Sequence, residues 1–185
     1  MQLKNKKVLI IGGAGMIGST LACKLVKLGA EVTIADAMLS SYGGNFFNIK
    51  EINTKIQFHK IDIRNKESID QISKDKEIVY NLAAQVSYLR SNNDPINDLE
   101  INCIGILNVL ESCKRNSPEA KVVFSSSRFV YGSTQSEIVS ESHPFNCKSI
   151  YGIHKLTGEK YHRYYYDAFN LNTVSVRIAN PYGPK

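Results

Sequence analysis

The chain has 185 residues, of which 43% are hydrophobic, and a formal net charge of +6 at pH 7. A chain of this length buries one full hydrophobic core, so we expect residues 1–185 to form one domain. No segment approaches the ~20 consecutive apolar residues of a transmembrane helix, and the first predicted strand begins too early to leave room for a secretory leader. We therefore expect a soluble, cytoplasmic protein without a membrane partner.

The four cysteines are Cys23, Cys103, Cys113 and Cys147. They form no Cys-x-x-Cys pair, so we expect free thiols, with no disulfide framework and no metal site. The lysines are spread along the chain, which argues against a nucleic-acid partner. Their positive field instead favours a ligand that carries a diphosphate.

The hydrophobic pattern predicts strands that alternate with helices. The predicted strands are Lys7–Ile11, Glu31–Ala35, Lys55–Ile61, Glu77–Leu82, Lys121–Ser125 and Thr173–Ile178. The predicted helices are Ile17–Leu28, Lys66–Ser73, Pro95–Lys114 and Ser149–Phe169. This alternation predicts an α/β fold with a doubly wound parallel sheet, helices on both faces, and a ligand beyond the carboxyl ends of the strands. The long connections Leu39–Asn48 and Gly132–Lys148 are expected to border that site.

A glycine-rich turn follows the first predicted strand. Gly12, Gly15 and Gly18 occupy its first, fourth and seventh positions. In a strand–helix–strand unit this spacing predicts a dinucleotide site: the first glycine makes the tight turn, the second lets backbone approach a pyrophosphate, and the third lets helix approach strand. The pyrophosphate is expected to meet the amides at the helix start, where Met16 and Ile17 lie. A glycine-rich turn without a ligand is the alternative.

Two acids follow neighbouring strands. Asp36 ends the second strand, where a carboxylate accepts hydrogen bonds from the adenosine ribose hydroxyls and repels a 2′-phosphate, so NAD is favoured over NADP. A turn aspartate is the alternative. Asp62 follows the third strand and is expected to receive the adenine amino group, or to form a surface ion pair with Arg64.

Tyr151 and Lys155 lie one turn apart at the start of a predicted amphipathic helix, so they share one face. The serines at the end of the fifth strand, Ser125 among them, can reach the same cleft. Removing hydride from a carbinol carbon requires a base for the hydroxyl proton. Tyrosine titrates near 10, so its pKa must fall by about three units; Lys155 and a nicotinamide cation are expected to lower it. His154 is expected to face solvent.

These motifs resemble the extended short-chain dehydrogenase/reductase family, of the NAD-dependent epimerase/dehydratase type, along nearly the whole chain. The resemblance rests on the glycine turn, Asp62-Ile63, Asn81-Leu82-Ala83-Ala84, Asn102, the serine strand end, Tyr151-x-x-x-Lys155 and Arg177–Gly183. It implies a Rossmann fold that binds NAD, with Ile63, Leu82, Ala83 and Ala84 against the cofactor. Position 81 is Asn where the family usually has His, a change that should be tolerated.

The resemblance also implies roles for single residues. Ser127, Tyr151 and Lys155 match the catalytic set, in which the serine hydrogen-bonds the substrate oxygen and the lysine also holds the nicotinamide ribose. Asn102 matches a helix asparagine that supports the site. Asn180 matches a residue that contacts substrate phosphate, and Pro181 one that lies near the nicotinamide.

Family members divide by the residues that follow the catalytic hydroxyl. Dehydratases carry Asp-Glu there, whereas this chain has Arg128-Phe129, so a nucleotide-sugar epimerase is favoured. A dehydratase or reductase of the same family is the nearer alternative, and a non-catalytic NAD-binding protein or an RNA-binding Rossmann protein the more distant. Gln85, Ser87 and Arg90 follow the fourth strand on the substrate side, where they are expected to contact a nucleotide-diphosphate sugar or to be ordinary loop residues.

The resemblance implies two further features. Family members commonly dimerise by packing the Pro95–Lys114 and Ser149–Phe169 helices into a four-helix bundle, so a homodimer is expected. They also usually carry a smaller C-terminal substrate domain, whereas this chain ends in a loop after the sixth strand. We therefore expect the 185 residues to bind NAD but to turn over nucleotide sugar poorly.

Overall fold

The computed structural model describes residues 3–39, 42–134 and 138–183. These form a six-stranded parallel sheet. Its strands are β1 (Lys7–Ile11), β2 (Glu31–Asp36), β3 (Ile56–Lys60), β4 (Ile78–Asn81), β5 (Lys121–Ser127) and β6 (Thr173–Ile178). Their order is β3-β2-β1-β4-β5-β6, the doubly wound Rossmann order. The predicted fold class is therefore confirmed. Each predicted long connection, and the final loop, contains residues outside this description.

Six α-helices cross over between the strands in the described residues. They are α1 (Met16–Lys27), α2 (Lys66–Ile72), α3 (Tyr88–Asn93), α4 (Pro95–Leu99), α5 (Gly105–Asn116) and α6 (Ile150–Phe169). A π-helical turn at Glu100–Ile104 joins α4 to α5, so the predicted helix Pro95–Lys114 is three consecutive segments. The sequence analysis missed α3 and a 3₁₀ helix at Phe46–Lys55, which Asn45 caps by accepting from the Phe47 amide at 2.9 Å.

Two hydrophobic clusters cover the two faces of the sheet. Leu9 and Ile11 of β1 pack in the cluster that contains α5 residues such as Leu110. Val8 and Ile10 pack in the other, which contains α1 residues such as Leu25. Because successive strand residues point to opposite faces, a strand buried on both sides must be apolar throughout. This is why β1 reads as a continuous apolar run.

The strand register brings the functional segments to one edge. Ile11 of β1 pairs with Asn81 of β4, and Asn81 pairs with Phe124 of β5. The turn after β1, the loop after β4 and the end of β5 are consequently neighbours. β5 continues two residues beyond its predicted end, to Ser127, which pairs with Ile178 of β6.

We expect Gly158→Ala to destabilise the fold. A Cβ at Gly158 would lie 2.8 Å from both Phe124 Cζ and Ile106 Cδ1, where α6 meets β5. Overpacking costs about 1–3 kcal/mol, and alanine regains up to about 1 kcal/mol of helix propensity. Urea denaturation should therefore show a net loss of about 1–2 kcal/mol. Gly183→Ala, which has no atom of the described residues within 4 Å of the added Cβ, is the control, and equal stability of the two variants would contradict this packing.

Candidate active site

A cleft of about 540 Å³ opens at the carboxyl edge of the sheet. Of the sixteen residues predicted to bind the cofactor, thirteen line it: Gly12, Gly15, Met16, Ile17, Gly18, Asp36, Asp62, Ile63, Leu82, Ala83, Ala84, Ser125 and Pro181. The other three, Asn102, Tyr151 and Lys155, are buried. The structure thus gathers residues from six segments of the sequence into one depression.

Two of the three glycines in the turn are tightly enclosed, and the third has space around it. A Cβ at Gly12 would lie 2.6 Å from the Ala83 nitrogen, and one at Gly18 would lie 2.3 Å from the Gly12 oxygen. A Cβ at Gly15 would meet only the Gly12 oxygen, at 3.5 Å. No side chain caps α1, and its first turn contains no acid. Its first amides are therefore available to a pyrophosphate, and the turn fits a dinucleotide.

Asp36 lies in the cleft but already accepts two backbone hydrogen bonds. Its Oδ2 accepts from the Ala14 amide at 3.0 Å and its Oδ1 from the Met38 amide at 2.9 Å. These bonds fix the carboxylate between the glycine turn and the segment after β2. Each oxygen keeps a second acceptor position, so the carboxylate can still accept from a ribose.

Asp62 forms the expected ion pair with Arg64 and also lies at the wall of the cleft. It lines the cleft and is held by Arg64, whose Nε and Nη2 donate to its two oxygens at 3.0 and 2.7 Å. The hydrogen bonds from Arg64 hold the pKa of Asp62 below its ordinary value, although burial opposes them. The acid is thus a fixed anion at the cleft wall.

The cleft is also lined by residues for which the sequence predicted no individual role. Among them are Leu39, Tyr42, Asn48 and Val86. Three of them border or lie within the Leu39–Asn48 connection, which does line the site as expected. Asn48 Nδ2 donates to the Ala14 carbonyl at 2.8 Å, which ties this connection to the glycine turn. The sequence signal for the residues of this connection was their position shortly after Asp36, the acid that ends β2.

The three predicted catalytic residues come together behind the cleft. The Ser127 side chain lies close enough to the Tyr151 phenol to lower the pKa of that phenol, and its Oγ accepts from the Phe129 amide at 3.3 Å. Lys155 donates from Nζ to the Ser125 carbonyl at 2.8 Å, and this Nζ lies 5.8 Å from the centre of the Tyr151 ring. Ser149 caps α6 by accepting from the Gly152 amide at 3.1 Å. This cap fixes the start of the helix whose first turns carry Tyr151 and Lys155 beside β5.

In the chain itself the pKa of Tyr151 is raised, whereas the expected lowering depends on Lys155 together with a nicotinamide cation. Burial raises that pKa, the Ser127 side chain lowers it, and the charge of Asp98 raises it further. Burial also lowers the pKa of Lys155 to about 8. The phenol and the ammonium both lose their water, and this loss outweighs any stabilisation of a phenolate by the lysine.

The structure places two predicted positions differently from expectation. Gln85 is 1% exposed, donating to Asp98 at 2.7 Å and accepting from the Ser87 amide at 2.6 Å, so it does not reach the cleft as a substrate residue would. His154 does not face solvent, because its Nδ1 contacts Asp98 Oδ1 at 2.6 Å. Asn102 donates to the same Asp98 oxygen at 3.0 Å.

The remaining predicted residues are not among those that line the cleft. Asn180 is exposed and accepts from Arg128 Nε at 2.9 Å. Ser87 caps α3 by accepting from the Arg90 amide at 3.3 Å. Asn81 is fully buried, and its side-chain atoms make no hydrogen bond within the described residues.

A Rossmann sheet with a glycine turn, a fixed acid after β2 and a buried tyrosine–lysine pair defines a dinucleotide-binding oxidoreductase-type domain. The chain belongs to the NAD-dependent epimerase/dehydratase family, whose model matches residues 8–185. It is 33% identical over 180 residues to the UDP-glucose 4-epimerase of Mycolicibacterium smegmatis, covering 97% of this chain and 57% of that protein. Members of this enzyme family depend on NAD.

Solved structures show the same likeness. The UDP-N-acetylglucosamine 4-epimerase of Methanobrevibacter ruminantium, in complex with UDP-N-acetylmuramic acid, superposes with a TM-score of 0.87 at 32% identity, over 94% of this chain and 55% of that one. The dTDP-glucose 4,6-dehydratase of Streptomyces venezuelae, with NAD bound, gives 0.90 at 27%, over 96% and 57%. The chain thus spans little more than half the length of these proteins.

Within residues 3–39, 42–134 and 138–183, no helix has both the length and the apolar character to cross a membrane. The same described part of the chain contains no group of three or more His, Cys, Asp or Glu side chains that could hold a metal ion.

Proposed function

We propose that this chain is the cofactor-binding and catalytic half of an NAD-dependent nucleotide-sugar epimerase. The observation that carries the proposal is the contact between Ser127 and Tyr151 beside buried Lys155, next to a cleft lined by the glycine turn. Relatives that act on UDP-sugars cover the same residues. The proposed substrate is a nucleotide-diphosphate sugar.

Each residue of the set has a distinct task. Ser127 orients the reacting sugar hydroxyl, and Tyr151 takes its proton. Lys155 holds the nicotinamide ribose and places a positive charge near the phenol. Bound NAD supplies the hydride acceptor and a cationic ring. Because burial raises the pKa of Tyr151, the phenol is held neutral until cationic charge is brought against it.

The residues after Ser127 favour epimerisation over dehydration. Dehydration requires a proton donor and a proton acceptor beside the sugar. Arg128 stays protonated at any working pH, and it donates to Asn180. Phe129 packs edge-on against the Tyr151 ring, with the centroids 5.7 Å apart. Neither side chain can exchange a proton with substrate, whereas epimerisation needs only the base and the cofactor.

We expect NAD to bind at least about tenfold more tightly than NADP. The Asp36 carboxylate is fixed at the cleft wall by two amides, where it accepts from a ribose and repels a 2′-phosphate. Isothermal titration of both nucleotides measures the ratio. Asp36→Asn should reduce the preference by weakening NAD binding, while Asp94→Asn, which removes an exposed charge from a helix cap, should not. Equal affinity of the wild-type chain for both nucleotides would show that Asp36 does not select.

We expect Tyr151→Phe to lower turnover of UDP-, GDP- or CDP-sugars by about 10²–10⁴, because the base is lost, while NAD affinity changes by less than about threefold. A coupled epimerase assay and calorimetry measure the two quantities. Tyr164→Phe on the exposed face of the same helix is the matched control. Undiminished turnover of the Tyr151→Phe protein would exclude the proposed base.

We also propose a homodimer formed through α4, α5 and α6. Their surfaces expose apolar side chains: Ile96, Leu99, Ile104, Ile153 and Tyr164. A four-helix bundle between two copies would bury them. Sedimentation equilibrium should give twice the monomer mass, and Ile153→Glu should shift the equilibrium to monomer. The exposed strand residue Val174, changed to Glu, is the control; a wild-type chain that stays monomeric at high concentration would refute the interface.

A further inference from the structure

Asp98 of α4 is a charged side chain without solvent contact. It is 0% exposed, and three side chains surround its carboxylate. His154 Nδ1 and Asn102 Nδ2 contact Oδ1 at 2.6 and 3.0 Å, and Gln85 Nε2 donates to Oδ2 at 2.7 Å. Because a carboxylate oxygen can only accept hydrogen bonds, the His154 ring nitrogen that faces Asp98 is the donor in this contact.

These contacts join three segments that are distant in sequence. Gln85 follows β4, Asn102 lies in the π-helical turn, and His154 lies in the first turn of α6. The Gln85 carbonyl also accepts from Asn102 at 2.9 Å. His154 directly precedes Lys155, so the bond to Asp98 fixes the rotation of the helix turn that carries both Tyr151 and Lys155.

Lys155 is a buried cation whose pKa responds to the charge of Asp98. Burial lowers the pKa of Lys155, and the negative charge of Asp98 raises it. The other titratable groups that interact with the pair are Cys103, Tyr151, His154 and His162. Among the described residues, the hydrogen-bond acceptor of Lys155 Nζ is the neutral Ser125 carbonyl. An ionised carboxylate is thus needed to offset burial of the ammonium.

We propose that Asp98 is a positioning residue of this site, which orients the first turn of α6 through His154 and supplies the charge that keeps buried Lys155 an ammonium ion. This inference rests on the proposed function, in which Lys155 holds the nicotinamide ribose. Its physical content, the coupling between Asp98 and Lys155, is independent of any nucleotide.

The coupling has a definite pH signature. Lys155 has a folded pKa of about 8 and an ordinary value of 10.5. Between these values the unfolded chain binds more protons than the folded one, so stability rises with pH across this window. Loss of the Asp98 charge removes support from the ammonium and lowers the folded pKa further. The rise should then begin at a lower pH, by about one unit.

A double-mutant cycle measures this signature. Thermal unfolding of the whole chain, followed by circular dichroism from pH 6 to about 10, compares wild type, Asp98→Asn, Lys155→Met and the double variant. We expect Asp98→Asn to move the start of the stability rise downward, and this shift to vanish in the Lys155→Met background. Asp94→Asn removes an exposed charge but keeps a good helix cap. It should leave the pH at which the stability rise starts unchanged.

The same shift in both backgrounds, or no shift at all, would overturn the proposal. Should Asp98→Asn fail to fold, His154→Gln decides instead, because it keeps both the Asp98 charge and a donor toward it. Its stability rise should start at or above the wild-type pH, and a start at lower pH would count against the coupling. Calorimetry with NAD is run in parallel: absence of binding by the wild-type chain would defeat the proposed function and leave this coupling standing.

Discussion

The carboxyl edge of the sheet is organised around the burial of one ammonium group. Lys155 is 2% exposed, and removing a lysine cation from water costs several kcal/mol unless other groups compensate. The compensation comes from the Ser125 carbonyl at 2.8 Å, the face of Phe124 at 4.9 Å and the charge of Asp98. Ser125 and Phe124 belong to β5, Asp98 to α4 and Lys155 itself to α6, so these three elements must be in place together before the site exists.

The cofactor cleft and the tyrosine–lysine pair are adjacent for a topological reason. β1, β4 and β5 are consecutive in the sheet, so the segments that leave them meet at one edge. The Gly12 turn presses against Ala83 so closely that no side chain fits between them, and Ser125 lines the cleft while its carbonyl holds Lys155. One strand end thereby connects the binding surface to the proton-transfer residues.

Sequence reasoning succeeded where function depends on local pattern. The alternating strands and helices, the glycine spacing and the one-turn separation of Tyr151 and Lys155 are all readable within about thirty residues. It failed where the outcome depends on contacts across the chain. Asp98 and His154 are 56 positions apart, and neither belongs to a motif. The 3₁₀ helix at Phe46–Lys55 lacks a period that distinguishes it from a loop.

The raised pKa of Tyr151 in the chain itself could not be predicted from the sequence for the same reason. Spacing shows that a cation lies near the phenol, but it does not show that both groups are dehydrated. In the structure burial is the largest influence on each, and it opposes charge on either. Burial therefore favours the neutral form of the Tyr151 phenol and lowers the pKa of the Lys155 ammonium group. In the proposed mechanism, the positive charge of an oxidised cofactor in the cleft would activate the phenol and so couple proton removal to cofactor binding.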